Sequence, residues 1–568
     1  MGKELQRALL WVILLGALFM LWDNYQVYKG GTSFFGPAKE QTVQNADQPA
    51  ANAIPAPTPN AQQAVAATPV EAVSDPVIVT TDRMKVTFDR SGARLVGTEM
   101  LRFPRQADWT EVGLAGLILG RKPADDLGNV KLLEVTPTHI YEAQSGLVGG
   151  DFPTHADAFH LVSSKLDMGS DETLDVVFEA VKGGVKVTKT YRFKRGYYGI
   201  EVTTNVSNVS NSPVRPQIYY QITRDGSKPE GENSMYSTFT GPAVYSDEEN
   251  YQKIKFQDIA DDDASYQEKT NNGWIAMVQH HFVSAWVPAQ GESRQNYVRE
   301  TAKNLFSVGT LIPMKEIAPG ASESNKAVFY SGPQEQERLE ELAPGLELVV
   351  DYGWLTFLAK PIYWLLSFLH GIVGNWGWSI ILLTCIVKAI LFPVSAAGYR
   401  SMARMKEVQP RIKAIQDKYK DDKQRLNQAM MELYRNEKIN PVGGCLPIML
   451  QIPVFLALYW VLQGSVELRG ASWILWVHDL AAPDPWFVLP LLMAVTMFLQ
   501  IYLNPKPADP TQAKVMYIMP IIFSVMFFIF AAGLVLYWLT NNVLSILQQW
   551  WINKTIAADR AARAKNHV

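Results

Sequence analysis

Apolar and polar residues alternate with a period of two through the central part of the chain. Met84, Val86 and Phe88 share one face of a predicted strand, and a second strand follows the Gly183-Gly184 turn. That second strand places on one face Val185, Val187, Lys189, Tyr191 and Phe193. Many such short runs, separated by turn residues, predict a large antiparallel β-sandwich.

After residue 342 the pattern changes to long apolar helices. Five segments are apolar enough to cross a bilayer, although several have only about 18 apolar residues, near the lower limit. They cover about 377–398, 445–463, 486–503, 515–532 and 534–553. A further segment, 355–374, is long enough, but Lys360, Pro361 and His370 interrupt it. Length alone leaves its place relative to the membrane open.

The N-terminus carries another apolar segment. Lys3 and Arg7 precede an apolar core from Ala8 to Trp22. A secretory signal peptide has this make-up, but no small-residue cleavage site follows Trp22, which favours an uncleaved signal-anchor. The stretch from about 37 to 75 is rich in Ala, Pro, Gln and Asn. It is predicted to be a disordered tether because it can bury little apolar surface.

The distribution of charge predicts the topology. Residues 399–438 hold eleven Lys or Arg against six acids, and the tail from residue 553 has a net charge of +3. The connection 464–485 has a net charge of −2. By the positive-inside rule, the first two lie in the cytoplasm and the third lies outside. Only one span then fits between the β-domain and residue 399, so 355–374 is predicted to be an amphipathic helix in the outer interface. The total is six spans, with both termini inside.

The cytoplasmic segment is predicted to be a hairpin of two amphipathic helices, because apolar residues recur at helical spacing in each half. The first stripe is Met402, Met405, Val408, Ile412, Ile415 and Tyr419, and the second is Leu426, Met430, Leu433 and Tyr434. Asp421 or Asp422 is the predicted N-cap of the second helix. The hairpin either packs only on itself or offers its charged outer face as a docking surface.

Composition and motifs argue against several classes of protein. A net charge of −3 gives no support for nucleic-acid binding by the chain itself. No phosphate-binding loop, serine-hydrolase motif or zinc-protease motif is present, and the eight histidines lack metal-ligand spacing. The two cysteines, Cys385 and Cys445, lie in or beside apolar runs, so no disulfide framework supports the β-domain. We expect no cofactor, no metal and no catalysed covalent reaction.

Lys388 is the most informative intramembrane residue, since a charge near the middle of a span costs roughly 2.5–3.5 kcal/mol. Its side chain could snorkel, form a buried ion pair or face a wet cavity. On a straight helix to residue 398 it lies about 15 Å from the cytoplasmic end, further than a lysine reaches. No Asp or Glu lies within the six spans. We therefore favour a water-filled, positively charged cavity that receives a polar segment crossing the bilayer.

Other intramembrane polar residues recur at the spacing of one helical face. Thr384 and Ser395 share the face of Lys388, together with Gly377 and Ile381. The face of the last span is formed by Tyr537, Asn541, Leu544 and Gln548, and the third helix contributes Gln451. Backbone kinks and amides inside hydrocarbon are tolerated where they face protein or trapped water.

Two other classes of function remain open on the sequence. A secondary transporter could use Lys388 as a coupling or substrate site, but it should show internal repeats and paired broken helices. An envelope glycan-binding protein would act through the β-domain. Deleting the β-domain distinguishes this last class, because its activity would vanish with the domain.

Three stretches carry a more specific signal: "GNWGWSIILLTCIVKAILFPVS", "NPVGGCLP" at 440–447, and "GLVLYW". They closely resemble the YidC membrane protein insertases of Gram-negative bacteria, and the resemblance covers the whole chain. It implies a polytopic α-helical membrane protein with six spans and a five-helix insertase core. It also implies an all-β periplasmic supersandwich, similar to sugar mutarotases.

The resemblance implies a hydrophilic intramembrane groove that carries one positive residue, commonly arginine. Lys388 occupies that position in this chain. Lysine keeps the charge but lacks the planar guanidinium fork, so recognition should rest on charge more than on geometry. The resemblance implies substrate contact by Thr384 and Tyr537, with Gln451 lining the groove. Asn541 completes the predicted substrate groove.

The resulting domain prediction is a signal-anchor at 1–25, a tether at 26–75, the β-domain at 76–340, an interfacial helix and linker at 341–375, a core span at 376–398, the hairpin at 399–440, four further core spans at 441–553 and a cytoplasmic tail at 554–568. The expected location is the bacterial inner membrane. The expected function is to insert and help fold inner-membrane proteins, alone or with the Sec translocon.

The partners that the resemblance implies are nascent inner-membrane proteins, the Sec translocon, the signal-recognition-particle receptor, the ribosome and membrane lipid. The core is expected to be monomeric. The tail is only modestly basic, which argues against strong ribosome binding.

Overall fold

The structure is a computed structural model that describes residues 76–105, 128–229, 238–419, 422–437, 446–503 and, apart from residues 519, 521 and 525, 517–566. The predicted signal-anchor, the tether and most of the 440–447 turn lie outside the described residues. The described residues fall into two compact units that divide between Asp351 and Tyr352.

The first unit contains two nine-stranded antiparallel sheets, which confirms the predicted sandwich of short strands. The strands are β1 Val77–Thr80, β2 Met84–Asp89, β3 Arg94–Pro104, β4 Asn129–Val135, β5 Ile140–Val148, β6 His160–Leu161, β7 Thr173–Lys182, β8 Val185–Lys194, β9 Gly199–Asn208, β10 Gln217–Asp225, β11 Gly241–Ser246, β12 Asn250–Lys253, β13 Lys269–Thr270, β14 Trp274–Gln279, β15 Phe282–Pro288, β16 Arg294–Ala302, β17 Leu305–Pro313 and β18 Ser322–Pro333. One sheet has the order β1-β2-β3-β4-β5-β10-β17-β16-β13, and the other has the order β12-β11-β14-β15-β18-β9-β8-β7-β6.

The period-two pattern determines which faces of the strands meet. The alternate residues of β8 are buried, as the sequence predicts, and they join a core shared with β2, where Phe88 packs edge-on against Tyr191. β7 and β8 are joined by Gly183 and Gly184, with φ of 56° and 74°. Two successive positive φ values define the two-residue turn that matches strand twist, and glycine adopts them without strain.

The β unit extends further along the chain than the predicted boundary at residue 340. A short helix, α1 Phe256–Ala260, lies among the strands, and α2 Gln336–Leu342 follows β18. The next turn buries Leu346 and Val349 in the sandwich core. The boundary therefore lies at Asp351, because apolar residues after residue 340 complete the β core.

The second unit is helical. Its helices are α3 Thr356–Val373, α4 Trp376–Ile390, α5 Phe392–Lys418, α6 Lys423–Asn436, α7 Leu446–Gly464, α8 Val488–Leu503 and α9 Ala532–Asn566. The described residues between 517 and 527 are also mostly helical. Among the described residues, the helical stretch 353–373 is long and apolar enough to cross a bilayer, and the bent pair 376–390 and 392–405 could form one more crossing. The stretches 451–464 and 488–503 are shorter apolar helices.

The predicted span 377–398 is not one continuous helix, because the helix breaks at Leu391. α4 and the start of α5 meet there at 67°. Pro393 explains the break: it has no N–H, and its ring clashes with the carbonyl of residue 389 in a continuous helix. Lys388 therefore lies in the last turn of α4 rather than deep inside a straight helix, and its depth does not follow from helix rise alone.

The predicted helical hairpin is present, but its first helix starts earlier than residue 399. α5 runs without a break from Phe392 to Lys418, and α6 begins at Lys423. The two predicted stripes meet in a small core of Met405, Val408, Ile412, Met430, Leu433 and Tyr434. The Asp422 side chain accepts hydrogen bonds from the backbone N–H groups of Gln424 and Arg425, so Asp422 is the N-cap of α6.

Candidate functional site

A cavity in the helical unit brings the five predicted groove residues together. The cavity is narrow: the centre of a water molecule can occupy about 10 Å³ of it, and the space between the lining residues is about 360 Å³ when the opening to solvent is counted. The lining residues are Thr384, Val387, Lys388, Leu391, Val394, Ser395, Gln451, Tyr537 and Asn541. They come from α4, the break that follows it, the start of α5, α7 and α9, so three separate stretches of the chain converge on one site.

The break after α4 shapes this cavity. Thr384 and Lys388 lie one helical turn apart on α4, and Ser395 lies beyond the bend on α5. The bend turns the start of α5, so that Leu391 and Val394 add an apolar edge beside the polar residues. Thr384 is buried, and its hydroxyl donates to the backbone oxygen of Ile380, which satisfies it within its own helix.

Lys388 reaches from α4 to α9. Its Nζ donates to the hydroxyl of Ser545 at 2.8 Å, and that hydroxyl donates to the backbone oxygen of Asn541 at 2.7 Å. The side chain of Lys388 is half-buried, and among the described residues no carboxylate pairs with it. A partly desolvated ammonium with neutral partners favours the approach of a negatively charged group.

A second polar link joins α7 to α9. Gln451 Nε2 donates to Asn541 Oδ1 at 2.6 Å, and the Gln451 side chain also reaches the Tyr537 hydroxyl. The Tyr537 ring is buried and lies parallel to the ring of Phe455. Tyr537 therefore presents a fixed aromatic face and a polar tip to the cavity.

Some residues on the predicted helical faces do not line the cavity, and one residue beside it was missed. Gly377 does not line the cavity: it lies against the Trp473 ring, which a Cβ at this position would meet at 2.2 Å. Ile381, Leu544 and Gln548 are also absent from the lining. Ser545 was missed, although it lies four residues after Asn541 and so falls on the same helical face. The spacing signal was present, but Leu544 was taken as the next member.

Comparisons with known proteins cover nearly the whole chain. Residues 76–365 match the family described as "YidC periplasmic domain", and residues 368–559 match the family described as "60Kd inner membrane protein". The membrane protein insertase YidC of Bordetella pertussis is 49% identical over an alignment of 581 positions that covers 99% of this chain and 100% of that protein. The same-named protein of Cupriavidus necator is 47% identical over an alignment of 569 positions that covers 98% of this chain and 99% of that protein.

Solved structures give more distant likenesses. A crystal structure of an active YidC insertase is 19% identical, with a TM-score of 0.37, and the match covers 84% of this chain and 92% of that one. A galactose mutarotase-related enzyme from Lactobacillus acidophilus is 10% identical, with a TM-score of 0.28, and the match covers 45% of this chain and 97% of that one. Structural similarities with TM-scores this low do not support a conclusion about function.

The matched families and the two units together define an inner-membrane protein with a β-rich periplasmic domain. The two relatives match nearly the whole chain at 47–49% sequence identity. The chain therefore belongs to the YidC membrane protein insertases, as the sequence motifs predicted. Members of this family are insertases rather than enzymes of covalent chemistry.

Proposed function

We propose that this protein inserts nascent inner-membrane proteins and helps them to fold, and that the cavity around Lys388 is the groove that receives their polar segments. The observation that carries the proposal is the convergence of Thr384, Lys388, Gln451, Tyr537 and Asn541 on one cavity. An ammonium that has no carboxylate partner among the described residues suits a client, the protein being inserted, that brings its own negative charge.

The proposed topology has six spans, with both termini in the cytoplasm and the β unit in the periplasm. The bent pair of α4 and α5 would form the first core crossing, and α3 would lie in the outer interface. The exposed face of α3 supports this placement, because it carries aromatic and aliphatic side chains: Trp354 just before the helix, then Phe357, Trp364, Phe368 and Ile372. Tryptophan is enriched where a membrane meets water.

The mechanism follows from desolvation and charge. A polar client segment enters the groove, where polar side chains reduce its desolvation cost and Lys388 attracts its acidic residues. The apolar segment of the client then moves into lipid, driven by about 25 cal/mol for each Å² of apolar surface buried. The membrane potential adds about 2.3 kcal/mol per negative charge moved outward per 100 mV. None of these steps requires nucleotide hydrolysis.

The hairpin of α5 and α6 is the proposed contact for the ribosome and the signal-recognition-particle receptor. Its small apolar core leaves charged side chains outside, including those of Arg411 and Arg425. Cooperation with the Sec translocon and a monomeric core complete the proposal.

Site-specific photocrosslinking tests the groove. A photoreactive residue at position 384 or 537 should crosslink to the polar segment of a client that is stalled during insertion by the full-length protein. Leu382 on α4 and Val543 on α9 are matched controls, because their side chains are about 40% exposed on the same helices and do not line the cavity. Equal crosslinking of the polar segment from all four positions would contradict a groove at this site.

A further inference from the structure

The Lys388 ammonium forms a hydrogen bond with Ser545, a residue that does not itself line the cavity. Ser545 is 3% exposed on α9, one helical turn after Asn541. Its hydroxyl accepts a hydrogen bond from Lys388 and donates one to the backbone oxygen of Asn541. A hydroxyl has one proton to donate, so the second bond points that proton into α9 and leaves a lone pair facing the ammonium.

Lys388 needs such a partner because of where α4 ends. The last carbonyl groups of a helix lack partners within the helix and attract cations. Lys388 lies two residues before the end of α4, and its four-carbon stem is flexible. Without a partner across the cavity, the ammonium could fold back onto these carbonyl groups. Ser545 is the acceptor that draws it towards α9.

We propose that Ser545 is a positioning residue that holds the Lys388 ammonium at the groove, where its remaining donors can bind a carboxylate of the client. The side chain of Tyr399 on α5 also reaches Ser545, so one hydroxyl connects α4, α5 and α9. This inference rests on the proposed function, because it assigns a role to Ser545 through Lys388.

The test measures insertion by the full-length protein in proteoliposomes, with two versions of one client that differ only in the translocated tail: two Asp residues or two Asn residues. Ser545→Ala should lower insertion of the acidic client about tenfold, the scale of a lost hydrogen bond to a charged group, and should leave the neutral client unchanged. Ser545→Thr keeps the hydroxyl and should restore insertion. Thr540→Ala is the matched control, because the Thr540 hydroxyl donates to Leu536 within the same helix.

A double-variant cycle separates this inference from the proposed function. Lys388→Leu should impair the acidic client, Lys388→Arg should support it, and Ser545→Ala added to Lys388→Leu should have no further effect. Equal insertion of the acidic client by wild type and Lys388→Leu would overturn the groove charge itself. Equal loss of both clients in Ser545→Ala would instead assign Ser545 to packing, as would a further loss in the double variant. Unchanged insertion of the acidic client in Ser545→Ala would overturn the positioning role alone.

Discussion

At the scale of single residues, the β unit contains a second buried lysine in a different environment. Lys189 is fully buried on β8, on the face where the sequence pattern places it. Its ammonium donates to the backbone oxygens of Gly92 and Ser145 at 2.7 and 2.9 Å and lies 4.6 Å from the centre of the Phe159 ring. Burial lowers the pKa of Lys189 from 10.5 to about 7. The unfolded chain therefore binds the proton more tightly than the folded chain does.

This difference predicts a pH dependence of stability. Between pH 7 and 10.5, Lys189 should raise the free energy of unfolding as pH increases, by up to about 1.36 kcal/mol per pH unit. This increase in the free energy of unfolding is complete above pH 10.5, where Lys189 is neutral in both states. It is absent below about pH 7, where Lys189 is protonated in both states. Lys189→Met should remove this slope, and Lys186→Met, on the opposite face of β8, should keep it. Pulse proteolysis of the full-length protein in urea, at pH 7 and pH 9, measures the free energy of unfolding of the β unit. An equal change in this free energy between the two pH values in both variants would contradict the assignment to Lys189.

At the scale of elements, the break between α4 and α5 shapes the cavity around Lys388. In a straight helix, positions 382 and 404, which are 22 residues apart, would be separated by about 33 Å at 1.5 Å per residue. The 67° bend brings them closer. Pro393 makes a continuous helix unfavourable, whereas alanine permits one.

Pro393→Ala should therefore straighten the pair. Spin labels at positions 382 and 404, in a protein whose native cysteines are replaced, should report a distance below about 33 Å in the wild type and a longer distance in the variant. Pro410→Ala, further along α5, is the matched control and should leave the distance unchanged. An unchanged distance in Pro393→Ala would show that packing, rather than the proline, maintains the bend.

Periodicity explains which of these features the sequence could predict. It places Tyr537 and Asn541 on one face and selects both stripes of the hairpin, because these arrangements depend on neighbours within one helix. It does not predict the convergence of α4, α7 and α9, since helix packing depends on contacts distant in sequence. The bend was missed for a different reason: Pro393 is visible in the sequence, but apolar residues continue on both sides of it and resemble one span.

At the scale of the whole molecule, each unit has its own interior. The sandwich core is built from residues between Val77 and Val349, and every residue that lines the cavity lies in the helical unit. Among the described residues, the cavity lining therefore contains no side chain from the β unit.

Replacing residues 76–351 by a short Gly/Ser linker should leave insertion of the acidic client largely intact, whereas the same replacement combined with Lys388→Leu should impair it. Insertion in proteoliposomes, at equal amounts of reconstituted protein, measures both. Loss of insertion in the first variant, with the helical unit still folded in detergent, would show that the β unit takes part in the reaction.

α9 also gives the groove a property that no single side chain has. It is one helix of 35 residues, and Tyr537, Asn541 and Ser545 follow one another along it at intervals of four. Each residue of an α-helix turns through about 100°, so an interval of four shifts a side chain by about 40°, and these three side chains lie within about 80° of one another on one face. A single residue inserted into α9 before Tyr537 would turn all three away from Lys388 together, whereas a point substitution removes one contact and leaves the others. The polar lining of the cavity therefore depends on the rotation of α9 about its own axis as well as on the identity of its side chains.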